Sequence, residues 1–123
     1  MKICDAMAML DKFQPNSFED VDKIAWLEEL DKELWQEVIR THEGAEAVPE
    51  PCYSDGDQEQ ALLVDGPYKC IYLHWLQSKL DYALGDFARF NNSYASFEAD
   101  RAAWKNWYHR NHMPLQNAKG VYF

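Results

Sequence analysis

Apolar residues recur along this chain at spacings of three and four, the period of an α-helix with one buried face. Ile3, Met7 and Leu10 predict a short first helix, and Phe13-Gln-Pro-Asn-Ser17 ends it, because Gln14 precedes a proline and is biased away from helical backbone. Ser17 with Asp20 spells a capping-box-like start for a second helix, and Glu19, Asp20 and Asp22 suit the positive end of its dipole. Its stripe is Val21, Ile24, Leu27, Leu30, Leu34 and Val38, broadened by Trp26, Trp35 and Ile39, and it is predicted to run to about Thr41, with Gly44 as its stop. Glu28, Glu29, Asp31, Glu33 and Glu37 alternate with that stripe and read as its solvated face.

A third helix is expected from Pro67, a favoured first-turn residue. Tyr72, Leu76, Leu80, Ala83, Phe87 and Phe90 form its core line, flanked by Ile71, Trp75 and Leu84, and the rhythm continues through Tyr94, Phe97, Trp104 and Tyr108. A single helix to Arg110 far exceeds the usual length of about 10–14 residues. Gly85 and Asn91-Asn92-Ser93 are the expected breaks, with Asn92 or Ser93 capping a fourth helix. Pro114 closes the pattern, and 114–123 reads as an extended tail. The expected fold is all-α: one domain over 1–123, a small bundle of about four helices with a long loop between the second and third.

That loop, 44–66, changes the picture. It holds five of the breaker residues Gly and Pro, no Lys or Arg, and the acids Glu46, Glu50, Asp55, Asp57, Glu59 and Asp65, with a short extended piece at Leu62–Val64. Loops this long in compact domains are functional or disordered. The net charge of −9 is split: residues 1–66 carry 17 acids against 5 Lys and Arg, a net of −12, and residues 67–123 carry 4 against 7, a net of +3. Such a split allows the acidic half of one copy to face the basic half of the next. The overall negative charge disfavours contact with nucleic-acid phosphates.

The aromatic content is concentrated too. Eleven of the eighteen Phe, Trp and Tyr residues lie between Tyr68 and Pro114. A core of this size cannot take them all, so Tyr72, Phe87, Phe90, Tyr94 and Phe97 are assigned to internal packing. Trp75, Trp107 and Tyr108, with Tyr122 and Phe123, are assigned to neighbours, beside the cations Arg101, Lys105 and Arg110.

Candidate chemistry is sparse. Cys4, Cys52 and Cys70 are odd in number and widely spaced, so free thiols are expected. His109 and His112 lie three apart and would need further ligands to hold zinc. Cys52 with His42 or His74 would be a nucleophile and base, but acidic surroundings blunt a thiol. No phosphate-binding glycine loop and no nucleophile-elbow or zinc-protease motif is present. The expectation is no enzyme, no metal and no cofactor. No apolar run approaches the roughly 18 residues of a membrane span, and Asp5 and Asp11 break any signal-peptide core, so no membrane partner is expected and the host cytoplasm is the expected compartment before assembly.

Several phrases, in order, carry a family resemblance: Phe13-Gln-Pro-Asn-Ser-Phe, Lys23-Ile-Ala-Trp-Leu-Glu-Glu-Leu-Asp, Val38-Ile-Arg-Thr-His-Glu-Gly, Leu62-Leu-Val with Pro67-Tyr68, Ile71-Tyr-Leu-His-Trp-Leu, Phe90-Asn-Asn-Ser and Asn106-Trp-Tyr-His-Arg-Asn-His-Met-Pro. The chain resembles the head–tail connector, or head-completion, proteins of long-tailed phages and prophages of Firmicutes. That resemblance implies a helical virion protein at the head–tail joint. It implies a ring of about a dozen copies between the portal protein and a tail-side joining protein, through which DNA passes without specific binding. The acidic loop is then the expected channel- or portal-facing element. A small cytosolic helical protein-binding module or regulator encoded by a prophage is the alternative.

Overall fold

Each predicted stretch of helical periodicity becomes a helix, but the boundaries and one whole phase differ. The structure is a computed structural model, and it describes residues 1–53 and 56–115. Its helices are α1 (Ile3–Phe13), α2 (Asp20–Glu37), α3 (Cys70–Ala83) and α4 (Phe87–Asn111), with 3-10 turns at Ile39–Thr41, Ala45–Ala47 and Gly66–Tyr68. Among the described residues there is no strand, only isolated antiparallel bridges between Lys2 and Ala61 and between His42 and Pro114.

α1 buries Ile3, Ala6, Met7 and Leu10 as its spacing requires. α2 starts later than the Ser17 reading. Glu19 is the residue before the first turn and no side chain caps it. Asn16 shapes the approach instead, its Oδ1 accepting from Phe18 N–H at 3.1 Å. Ile24, Leu27, Leu30 and Leu34 are buried as expected, but Val21, on the first turn, is 71% exposed beside an open groove with Ile24 and Tyr53. The last turn tightens into the 3-10 turn at Ile39–Thr41, so the expected end near Thr41 holds with a change of helix type.

The long aromatic stretch is two separate helices. Gly85 adopts φ +75°, a conformation that side chains disfavour, and the chain reverses there. Asp86 caps α4 by accepting from Arg89 N–H at 3.1 Å. Asn91, Asn92 and Ser93 therefore lie inside α4 and cap nothing, and the Ser93 hydroxyl donates to Asp81 at 3.0 Å. α3 and α4 form an antiparallel hairpin. Tyr82 meets Phe90, Trp75 meets Phe97, His74 meets Asp100, and Tyr68, just before α3, meets Trp107. With 25 residues against 14, α4 runs about 37 Å to α3's 21 Å and overhangs it at the end opposite the turn.

The loop between α2 and α3 is built into this frame. The carbonyls of Gln58 and Gln60 accept from Cys4 and Ile3 N–H at 2.9 and 3.0 Å, supplying partners to first-turn donors of α1 that have none within the helix. Tyr53, Leu62 and Val64 are buried. Asp31 holds the loop from within, which corrects its reading as a solvated carboxylate. Its Oδ2 accepts from the Tyr53 hydroxyl and from Leu63 N–H at 3.0 Å, and its Oδ1 accepts from the Tyr72 hydroxyl at 2.8 Å. Tyr72 in turn accepts from Val64 N–H at 2.6 Å. Asp31 lies four residues after Leu27 and three before Leu34, on the apolar stripe itself, and that spacing places it in the core.

Burial pushes the Asp31 carboxyl up to about 6 from its ordinary 3.8, against three donors that pull it down. The folded protein therefore binds this proton more tightly than the unfolded chain. The group's contribution to stability is full below 3.8 and is lost as pH rises through 6. Chemical denaturation should show the wild type gaining on the order of 2 kcal/mol over Asp31→Asn between pH 7 and pH 4. Asp31→Ala, which strands three buried donors, should cost about 2–4 kcal/mol at pH 7.

Candidate functional site

The residues assigned to neighbours by sequence do not all reach the surface. Trp75 and Tyr108 are buried within the chain. Trp75 donates its indole N–H to the Trp26 carbonyl at 2.7 Å, and Lys79 covers its ring at 4.5 Å. Tyr108 stacks on His112 at 3.8 Å and meets His42 edge-on. Trp107 is half-buried against Tyr68, and Arg110 is exposed. Tyr122, Phe123 and Asp55 lie outside the described residues.

Phe87 and Tyr94, assigned to the core, are exposed, as are Ala83 and Leu84, and Phe90 is only half-buried. The cause is the reversal at Gly85. One uninterrupted stripe would keep all these rings on a shared buried face, but the hairpin carries residues 82–94 out to its tip. At that tip Tyr82 is 63%, Leu84 62% and Phe87 58% exposed. The opposite end of the hairpin holds an apolar groove of about 430 Å³. Ile39, Val48, Leu63, Tyr68, Trp104 and Trp107 line it, and Asp65 and His112 are polar members of its wall.

The two charge halves meet inside one chain. Glu29, Glu33 and Glu37 recur every four residues on one side of α2. Lys79, Arg101 and Lys105 answer them from α3 and α4 at 3.3, 2.7 and 3.6 Å. Arg101 also pairs with Glu98 within α4. Each such surface pair is worth little alone, but the row uses cations that sequence assigned to a neighbouring copy.

In the acidic loop, Glu59 pairs with Lys2 at 2.7 Å, and Asp57 accepts from Glu59 N–H at 3.1 Å. Asp65 accepts from Gly66 N–H at 2.7 Å and lies 3.4 Å from the Met1 amino group. Glu46 and Glu50 are exposed and have no ion pair among the described residues.

The histidines serve the scaffold. His42 Nδ1–H donates to the Val38 carbonyl at 2.6 Å, which leaves Nε2 to accept from His109 Nδ1–H at 2.7 Å. Sequence missed this pair, since nothing in the spacing links positions 42 and 109. His112 turns to Tyr108 and His74 to Asp100, while both ring nitrogens of His42 are taken by Val38 and His109, which leaves His42 none to serve as a base for Cys52. Among the described residues no three His, Cys, Asp or Glu side chains gather as a metal set, and no helix is long and apolar enough to cross a membrane.

Burial, His42 and Lys105 together hold His109 below the ordinary histidine range. Its ring should therefore titrate below 6.5 when followed by NMR, and Lys105→Ala should shift the midpoint upward. Removing the ring with His109→Ala should speed hydrogen exchange at the Leu115 and Glu43 amides, which bond across to Thr41 and Met113.

In comparisons with known proteins, no family model, no curated protein and no solved structure matches the chain.

Proposed function

We propose that this chain is a structural virion protein of the head–tail connector kind. It assembles with copies of itself into a ring between the portal protein and a tail-side protein, and DNA passes through the ring. The observation that carries this reading is the hairpin tip. Tyr82, Leu84 and Phe87 stand exposed together, with Phe90 and Tyr94 beside them, and a contiguous apolar patch of this kind marks a surface used in association.

Two further features support it. The phrases that carry the family resemblance supply the frame: Leu63 and Val64 bond to Asp31 and Tyr72, Ser93 to Asp81, and His42 to His109. The acidic loop is held by backbone bonds and by Asp31, and it presents Glu46 and Glu50 to solvent. Fixed negative charge at a channel wall repels phosphates and lets DNA slide. A monomeric prophage-encoded regulator is the competing reading, and it predicts a protein absent from particles.

Antibody-labelled electron microscopy of isolated particles should place the protein at the head–tail joint; finding it only in the infected-cell lysate would overturn the reading. Replacing Glu46, Glu50 and Asp57 by their amides should slow DNA packaging and ejection, most strongly at low salt. Normal rates at every salt concentration would remove the loop from the channel.

A further inference from the structure

We infer that successive copies join head to tail, the aromatic hairpin tip of one seated in the apolar groove at the far end of the hairpin of the next. This rests on the ring reading and specifies its contact. The two surfaces are alike in chemistry, one exposed and apolar, the other recessed and mostly apolar. The tip is a narrow projection made where α3 turns into α4, and Tyr82, Leu84 and Phe87 on it are each more than half exposed. The groove is a recess of about 430 Å³, inside the roughly 300–1,000 Å³ range of pockets that hold a substantial apolar ligand. Its walls are mostly apolar and include Tyr68, Trp104 and Trp107, which suit ring-on-ring packing.

Charge favours the same pairing. Arg89 sits two residues after Phe87 with its side chain 60% exposed, 3.9 Å from Asp81. Asp65 stands in the groove wall with its side chain 81% exposed, near the Met1 amino group. The tip thus carries an exposed cation and the groove wall an exposed carboxylate, opposite in sign for tip-into-groove docking. A symmetric tip-to-tip contact would instead set Arg89 against Arg89 and leave both grooves open. The occupant is therefore a second copy of this chain in a heterologous contact, the type that closes into a ring when its rotation allows. Three side chains of this kind bury on the order of 500 Å² per tip, below the roughly 800 Å² per partner of a stable pair. Each copy uses both its tip and its groove, so a copy in a closed ring makes two contacts where a copy in a dimer makes one.

Native mass spectrometry and sedimentation velocity on the full chain test the contact, with and without the portal protein. Phe87→Glu places a charge on the tip, and Pro67→Glu places one in the groove wall; far-ultraviolet circular dichroism checks both folds, and Tyr68→Lys replaces the second variant if it unfolds. Each variant alone should associate about 30-fold more weakly than the wild type or worse. Mixed, the two have one intact tip and one intact groove between them, so they should gain at most a single weak contact and build no ring. Val21→Glu, on the separate groove beside α2, should assemble as the wild type does. If the wild type assembles and either variant, or their mixture, assembles equally well, the tip-and-groove contact is wrong while the ring reading stands. If the wild type is monomeric under both conditions, the ring reading fails and this contact with it.

Discussion

A single buried carboxylate ties three parts of this protein together. Asp31 belongs to α2, but its partners are Tyr53 and Leu63 of the acidic loop and Tyr72 of α3. Without it the loop would keep its backbone bonds to α1 and its apolar anchors at Tyr53, Leu62 and Val64, but it would lose the acceptor that ties Tyr53 and Leu63 to Tyr72. A charge in the core is costly unless donors surround it, and here the donors come from segments that must arrive together. Loop, helix and hairpin are therefore placed relative to one another by one residue's hydrogen-bond demand.

Helical periodicity made most of this legible in advance. The helices and the buried faces of α1 and the middle of α2 follow from spacing; the break at Gly85 is one of two that breaker residues offer, and the other, at Asn91-Asn92-Ser93, lies inside α4. Where the pattern misled, the reason is geometrical. A stripe records which residues share a face, not whether anything lies opposite. Phe90 and Phe97 are seven residues apart on nearly the same side of α4, yet Phe97 is sealed against Trp75 and Phe90 is only half-buried near the tip. Trp75 and Tyr108 were placed outside because their rings seemed surplus, and they proved to be the wedges between α2, the 3-10 turn and the hairpin.

The polar interior was the least legible part. Asp31 lay on the apolar stripe, so its spacing held the signal, but acids in a charged helix are ordinarily solvated and the neighbouring Glu residues masked it. The His42–His109 pair had no sequence signal at all, because it joins a 3-10 turn to the end of α4 across most of the chain. The charge split was visible, but its use was not. Composition shows that opposite charges exist, and only the packing of α2 against the hairpin shows that many of them meet within one molecule.

That internal pairing gives the molecule a lopsided electric field. The row along α2 neutralises cations of the hairpin, while Asp20 and Asp22 on the first turn of α2 and Glu46 and Glu50 of the loop have no ion pair among the described residues. With a net charge of −9, the molecule feels the field of a charged object before touching it. That long-range pull weakens as added salt shortens the distance over which it is felt.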